Sequence, residues 1–345
     1  MAAGRGIAAA SRSAIAGARP RIAAAMHVSY DCDMRPIFRG FLAVLWGALA
    51  CASCGRNAPT APAAAAAAAS IADTGKPRII STVPAATLNL VLIGAADELV
   101  GVSKYDLLYL PDAQKDLPVV GDYETMNYEQ LVKLKPTTLV IQFSDVRVPP
   151  RLRELAAAQH FDLVSMHFDH VSDIWDSVRA LGKISGKEKD ADNAIVKAQL
   201  SLKDVTDQYK DAPHPKVAYL ISPKLMLLSG DKTFVHEMIV AAGGEDVGAK
   251  VGDSFVEIGM ETLVKLQPEV LLLGAVEEMG EVQNDPRIAR WSDLPIPAAK
   301  NHRIYLVTDG NSQMASVNIG KNVRELARMI HAGDAGGKGG GGDKP

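Results

Sequence analysis

The chain has 345 residues, 48% hydrophobic and 22% charged, which is enough apolar material for two ordinary domain cores and enough charge to keep their surfaces hydrated. Its formal net charge is −3, with no lysine or arginine run that would follow a phosphate backbone, so nucleic acid is excluded as a partner. The three cysteines, Cys32, Cys51 and Cys54, all precede the folded region, which is thereby left without a disulfide, a thiolate metal site or a cysteine nucleophile.

Residues 1–50 read as an N-terminal extension and export signal. The basic stretch Met34-Arg-Pro-Ile-Phe-Arg39 precedes ten apolar residues, Phe41 to Ala50. A membrane-crossing helix needs about 20 apolar residues, so this segment is too short for a permanent span. Translation is expected to start at Met34. Ala48-Leu49-Ala50 before Cys51 resembles a bacterial lipobox, so Cys51 rather than Cys54 is the expected lipidation site; ordinary cleavage near Ala52 is the plainer alternative. Acyl chains at about 0.8 kcal/mol per buried methylene would hold the protein on a membrane. Residues 51–75 then form an alanine-rich linker that includes the run Ala63 to Ala69 and builds no core.

From Lys76 the pattern changes to short β-branched runs alternating with helical stretches, the mark of α/β units with parallel sheets. Strands are expected at Arg78–Thr82, Leu99–Ser103, Thr138–Phe143 and Asp162–His167, with a helix over Pro84–Ile93. Together they form an N-terminal lobe over residues 76–171. Residues 172–211 carry apolar side chains at helical spacing, Ile174, Val178 and Leu181, then Ile195, Ala198, Leu202 and Val205; this is a connecting helix with a break near Gly186. Ala212-Pro-His-Pro215 ends it. The pattern resumes over residues 212–332, with strands at Lys216–Ile221, Val270–Gly274 and Arg303–Thr308 and a last helix over Val317–Ile330. Residues 333–345 are a glycine-rich tail expected to be disordered. The fold class is α/β, two Rossmann-like lobes with mainly parallel sheets.

The halves share a segment. At an offset of 132, Glu129-Gln-Leu-Val-Lys-Leu-Lys-Pro-Thr-Thr-Leu-Val-Ile141 aligns without a gap on Glu261-Thr-Leu-Val-Lys-Leu-Gln-Pro-Glu-Val-Leu-Leu-Leu273, seven of thirteen residues being identical. Each copy reads as a short helix, a proline that ends it and a buried strand. Leu131, Leu134, Leu263 and Leu266 are core positions. Glu129 and Glu261 stand in first turns, where a carboxylate also complements the helix dipole by a few tenths of a kcal/mol (~0.3). Six residues before each glutamate stands an aromatic, Tyr123 or Phe255. One aromatic on each wall of a shared cleft is the arrangement this implies.

Residues 77–331 resemble the periplasmic binding proteins of cobalamin and iron-siderophore ABC importers. The resemblance rests on Arg78-Ile-Ile-Ser-Thr-Val-Pro84, Leu92-Ile-Gly-Ala-Ala-Asp-Glu-Leu-Val-Gly-Val-Ser103, Val120-Gly-Asp-Tyr123 through Pro136, Ala241-Ala-Gly-Gly-Glu-Asp-Val247 and Arg303-Ile-Tyr305, in that order. It implies two lobes joined by a single long backbone helix, and a monomer that carries a large chelate, a corrinoid or a ferric siderophore, to a permease dimer in the inner membrane. It also implies an extracytoplasmic location. Carried over residue by residue, it puts Tyr105, Tyr123, Phe143, Phe255 and Asp309 in the ligand cleft and gives Glu129 and Glu261 the docking of the permease, one per lobe. Such aromatics suit a flat, partly apolar ligand. Two positions depart from the cobalamin-binding pattern: Gln313 stands for an arginine and Leu88 for a glutamate.

Haem, with Tyr123 as a ligand, and zinc or manganese are the alternative cargoes; His167-Phe-Asp-His170 is the only histidine cluster, of a type that can ligate a metal or haem, but the three-histidine pattern across both lobes expected of a zinc or manganese receptor is not evident. Neither a resident cofactor nor a metal site is expected. An enzyme is excluded for lack of parts: there is no Gly-x-Ser-x-Gly, Walker loop, dinucleotide fingerprint or His-Glu-x-x-His.

Overall fold

The computed structural model describes residues 75–121, 125–144, 147–274 and 286–332, with the side chains of 286 and 287 left aside. The export signal, Cys51, the alanine-rich linker, Tyr123 and the glycine tail lie outside the described residues. The N-terminal lobe runs β1 (Ile79–Ser81), α1 (Pro84–Leu92), β2 (Leu99–Ser103), β3 (Val119–Gly121), α2 (Tyr128–Leu134), β4 (Thr138–Ile141), α3 (Pro150–Gln159) and β5 (Asp162–Ser165). Its strands form one parallel sheet in the order β3-β2-β1-β4-β5. Every residue of β1 and β4 is buried, which is why these strands read as unbroken apolar runs rather than alternating ones. Strand order reverses between β1 and β4, and at such a switch point the chain leaves a crevice beyond the carboxyl ends of the strands. Strands expected to reach Phe143 and His167 stop at Ile141 and Ser165; beyond these the apolar side chains still pack, but the backbone has left the ladder.

The crossing contains α4 (Val171–Ser185) and the long α5 (Glu188–Tyr209), with the break where the sequence places it. The break falls at Gly186, whose φ of 70° is left-handed, and the Lys187 N–H closes on the Gly182 carbonyl at 2.7 Å. The 22 residues of α5 span about 33 Å. Asp173, in the first turn of α4, accepts the N–H groups of Asp169 and His170 at 2.9 and 2.8 Å, and the helix begins one residue before the expected 172.

The C-terminal lobe runs β6 (Lys216–Ser222), β7 (Leu227–Leu228), α6 (Phe234–Ala241), β8 (Glu245–Asp246), β9 (Val256–Glu257), α7 (Met260–Leu266), β10 (Val270–Gly274), α8 (Pro286–Ser292), α9 (Pro297–Lys300), β11 (Ile304–Val307) and α10 (Ile319–Ile330). Its sheet has the order β11-β10-β6-β7-β9, with β8 also beside β6. β6, β8, β10 and β11 are parallel, while β7 opposes both β6 and β9. In α10 the buried residues Ile319, Val323, Leu326, Ala327 and Ile330 make one stripe at helical spacing, and Gly320 lets α5 approach so closely that a Cβ there would lie 2.4 Å from the Ser201 hydroxyl.

The shared segment is a structural repeat. Tyr128–Leu134 and Met260–Leu266 begin and end 132 residues apart, and each helix is terminated by a residue in the left-handed region, Lys135 at φ 46° and Gln267 at φ 47°. Pro136 and Pro268 then turn the chain into β4 and β10. Leu131 and Leu263 are wholly buried in separate hydrophobic clusters, each burial contributing about 2 kcal/mol.

A third and larger cluster runs through both lobes and the crossing. It includes Ile79 and Val140, Ile174 and Ile195, and Val217, Val307 and Ile319. Asn89 of α1 ties the lobes directly: fully buried, its amide donates to the Ala315 carbonyl at 3.0 Å and accepts the Val317 N–H at 3.1 Å.

Candidate ligand cleft

Each sheet sends loops out from the carboxyl ends of its parallel strands. Tyr109 follows β2 in the N-terminal lobe and Asp309 follows β11 in the C-terminal lobe, and the Tyr109 hydroxyl is pushed up by its burial and by the negative charges of Asp106 and Asp309. Crevices beyond strand carboxyl ends are where open α/β sheets bind their ligands.

Tyr105 and Phe255, one in each lobe, are both 39% exposed. Tyr105 sits in the loop that leaves β2, with the Lys104 ammonium 4.8 Å over its ring. Phe255 leads into β9, next to a loop pinned by the Lys232–Asp253 ion pair at 2.6 Å. Phe143 is half-buried against the cluster of Ile80, Val120 and Leu131, so it packs the N-terminal lobe. Asp309 caps the turn Gly310–Gln313: one carboxylate oxygen accepts the Asn311 N–H at 2.9 Å and the other lies 3.6 Å from the Lys321 ammonium. Leu88 is buried and Gln313 reaches toward the Ile221 carbonyl at 3.5 Å, so the two departures from the cobalamin-binding pattern fill packing positions.

Glu129 and Glu261 are exposed in the first turns of α2 and α7. Glu261 pairs with Lys265 one helical turn on, at 3.0 Å; Glu129 has no ion-pair partner among the described residues.

One residue central to this edge was not singled out from the sequence. Asp106 is wholly buried one position past Tyr105, accepting the Ser103 N–H at 2.8 Å as well as the Ser103 and Thr87 hydroxyls. Burial pushes its carboxyl up to about 6 against these hydrogen bonds. It joins the end of β2 to α1 and so fixes the loop that presents Tyr105. The only available signal was Ser103-x-x-Asp106, a common turn pattern.

The cluster His167-Phe-Asp-His170 is structural at its second histidine. His170 Nδ1 lies 2.7 Å from Glu237, whose other oxygen accepts the Val171 N–H at 3.0 Å, and this hydrogen bond with Glu237 raises the imidazole above its ordinary value. Among the described residues no group of three His, Cys, Asp or Glu side chains is placed to hold a metal ion. Among the same residues no helix is long and apolar enough to cross a membrane.

Residues 79–309 match the model of a family described as periplasmic binding protein. The ABC transporter substrate-binding lipoprotein YvrC of Bacillus subtilis is 26% identical over 260 residues, covering 74% of this chain and 80% of that protein. The high-affinity heme uptake system protein IsdE of Staphylococcus aureus is 29% identical over 250 residues, covering 67% and 79%. The crystal structure of the periplasmic vitamin B12 binding protein BtuF of Vibrio cholerae superposes with a TM-score of 0.62 at 20% identity, over 75% of this chain and 98% of that one. The matched proteins are binding components of transporters and not enzymes, and this chain, with its two α/β lobes, belongs to the periplasmic binding protein family.

Proposed function

We propose that the chain captures a tetrapyrrole-type metal chelate, a corrinoid or haem, between its lobes and delivers it to the permease pair of an ABC importer. The observation that carries this reading is the pair of part-exposed rings, Tyr105 in the loop after β2 and Phe255 just before β9, one in each lobe. Flat macrocycles stack on such rings, and each aromatic buries roughly 150–250 Å². Relatives that bind vitamin B12 and haem support the same ligand class. Tyr123 and Asp309 would complete the walls. Glu129 and Glu261 would register the two lobes on the two permease subunits; exposed pairs are worth only about 0–1 kcal/mol each, so they set orientation more than affinity. Cys51 would carry the lipid, holding a monomer at the outer face of the inner membrane.

The test is direct because the ligands are coloured. The chain from residue 52 onward is titrated with cyanocobalamin, dicyanocobinamide, haemin and a ferric siderophore. A spectral shift saturating at one equivalent is expected with at least one of the tetrapyrroles. Silence toward all three, or a response to the siderophore alone, would overturn the ligand class.

A further inference from the structure

A trough of about 510 Å³ runs along the first half of α5, where that helix meets the end of α1 and the approach to α10, and none of the side chains assigned to the cargo lines it. Its floor is apolar: Leu92 and Ile93 come from the end of α1, Ala194 from α5 and Val317 from the segment before α10. Leu92 is 37% exposed, so this floor is open to solvent. Lys187, Asp190, Asn193 and Lys197 border it at helical spacing, with Asn318 on the side of α10. Lys187, Asp190 and Lys197 have no ion-pair partner among the described residues, so the border carries two cations against one anion.

The charge is uneven along the trough. Asp190 stands one turn from Lys187, where the opposite charges offset each other, while Lys197 is seven positions further on, about 10 Å along the helix. α10 begins at the Lys197 end, because Gly320 in its first turn abuts Ser201, one turn past Lys197. Asn318 is the N-cap of this 12-residue helix, and its side chain does not cap it. An ammonium, the amides of Asn193 and Asn318 and the positive end of a helix dipole therefore border the same end of an apolar floor.

We propose that this trough is a binding site for a small amphiphilic anion, one carboxylate or sulfonate on a short apolar body, with the acidic head at Lys197 and Asn318 and the body on Leu92, Ala194 and Val317. Cavities of roughly 300–1,000 Å³ with an apolar lining and a few polar groups are the size class that takes such molecules. The site is independent of the cargo reading. Its walls belong to both lobes and to the crossing: Leu92 lies three residues past Asn89, whose side chain holds the Val317 N–H at 3.1 Å. Occupancy ties together the elements that carry the seam and so stabilises the folded chain.

The test titrates the full chain with anilinonaphthalene sulfonate, an apolar ring system bearing one sulfonate, and follows the dye's fluorescence. Saturable binding at one equivalent is expected, with a Kd on the order of 10–100 µM, and octanoate should displace the dye. Octanoate at about ten times its own Kd should also raise the midpoint of thermal unfolding by about 3 °C. Ala194→Trp fills the trough and Lys197→Glu reverses the charge at its head; each should weaken dye binding at least about tenfold. Val196→Trp and Lys189→Glu, at exposed positions of the same helix outside the trough, should stay within about twofold of wild type. Lys197 is exposed, so its reversal leaves the core untouched and keeps the test decisive if Ala194→Trp fails to fold. Absence of saturable binding, undiminished binding in Lys197→Glu, or equal weakening in the trough and control variants overturns the site. Loss of dye binding in the Tyr105→Ala and Phe255→Ala double variant overturns it as well, since the dye would then occupy the cargo cleft.

Discussion

Replacing Asn89 by alanine would test whether the two lobes are held as one body. The side chain is fully buried, donating to Ala315 at 3.0 Å and accepting from Val317 at 3.1 Å, so its removal strands a carbonyl and an N–H in an apolar seam. Each unsatisfied buried group costs about 1–3 kcal/mol, giving a loss of roughly 2–5 kcal/mol against a typical total of about 5–15. With a urea slope near 3 kcal/mol per molar, the midpoint of unfolding should fall by about 1 M. Urea denaturation of the chain from residue 52 onward, followed by tryptophan fluorescence, measures this. A midpoint within about 0.2 M of wild type would show that the two hydrogen bonds do not hold the seam, and the argument for a rigid pair of lobes would fail.

Asp106 makes stability depend on pH. Its folded value of about 6 exceeds the ordinary 3.8, so the native state holds the extra proton and stability falls as pH rises from about 4 through 6. The full penalty above that range is about 3 kcal/mol. Asp106→Asn, which keeps an acceptor and gains a donor, should therefore gain on the wild type as pH rises; a constant difference between pH 4.5 and 7 (about the span of the titration) would refute the assignment. Leu131→Ala and Leu263→Ala should each cost about 2–5 kcal/mol, and because their clusters are separate the losses should add. A coupling above about 1 kcal/mol in the double variant would contradict that separation. Tyr105→Ala and Phe255→Ala should each weaken binding of the cognate tetrapyrrole about tenfold without moving the urea midpoint, as isothermal titration would register.

What the sequence made legible followed the physics of burial. β1, β4 and β10 are covered on both faces and show as apolar runs, and the repeat shows as identity because the same helix-proline-strand unit solves the same packing problem twice. β7, β8 and β9 have two residues each, too few for any period, and exist only through their pairing partners. α3 escaped because it buries only Leu152 and Ala156 among polar neighbours, and α6 because eight mostly apolar residues fit a buried strand as well as a helix. The site was less legible for a different reason. Asn89 meets its partners 226 and 228 positions away, and His170 meets Glu237 at a separation of 67, so neither bond has a local signature.

The long-range bonds also bear on how the chain would work. Hinged lobes need separate cores joined by a pliable link, but here one cluster passes from Val140 through Ile174 and Ile195 to Val217 and Ile319. Opening the crevice by rotation would pull that cluster apart and break the two Asn89 bonds, at a cost comparable with much of a domain's stability. Adjustment to a ligand therefore falls to the loops at the strand ends. Leu108, three residues past Tyr105, is among the most exposed large apolar side chains and lies on the same loop that Asp106 anchors from behind. A rigid frame with an adaptable rim leaves the partner little gross movement to read. With Glu129 and Glu261 in the proposed docking role, recognition of the loaded form would then depend on what the rim displays, and the unequal surroundings of the two glutamates would matter more than the motif they share.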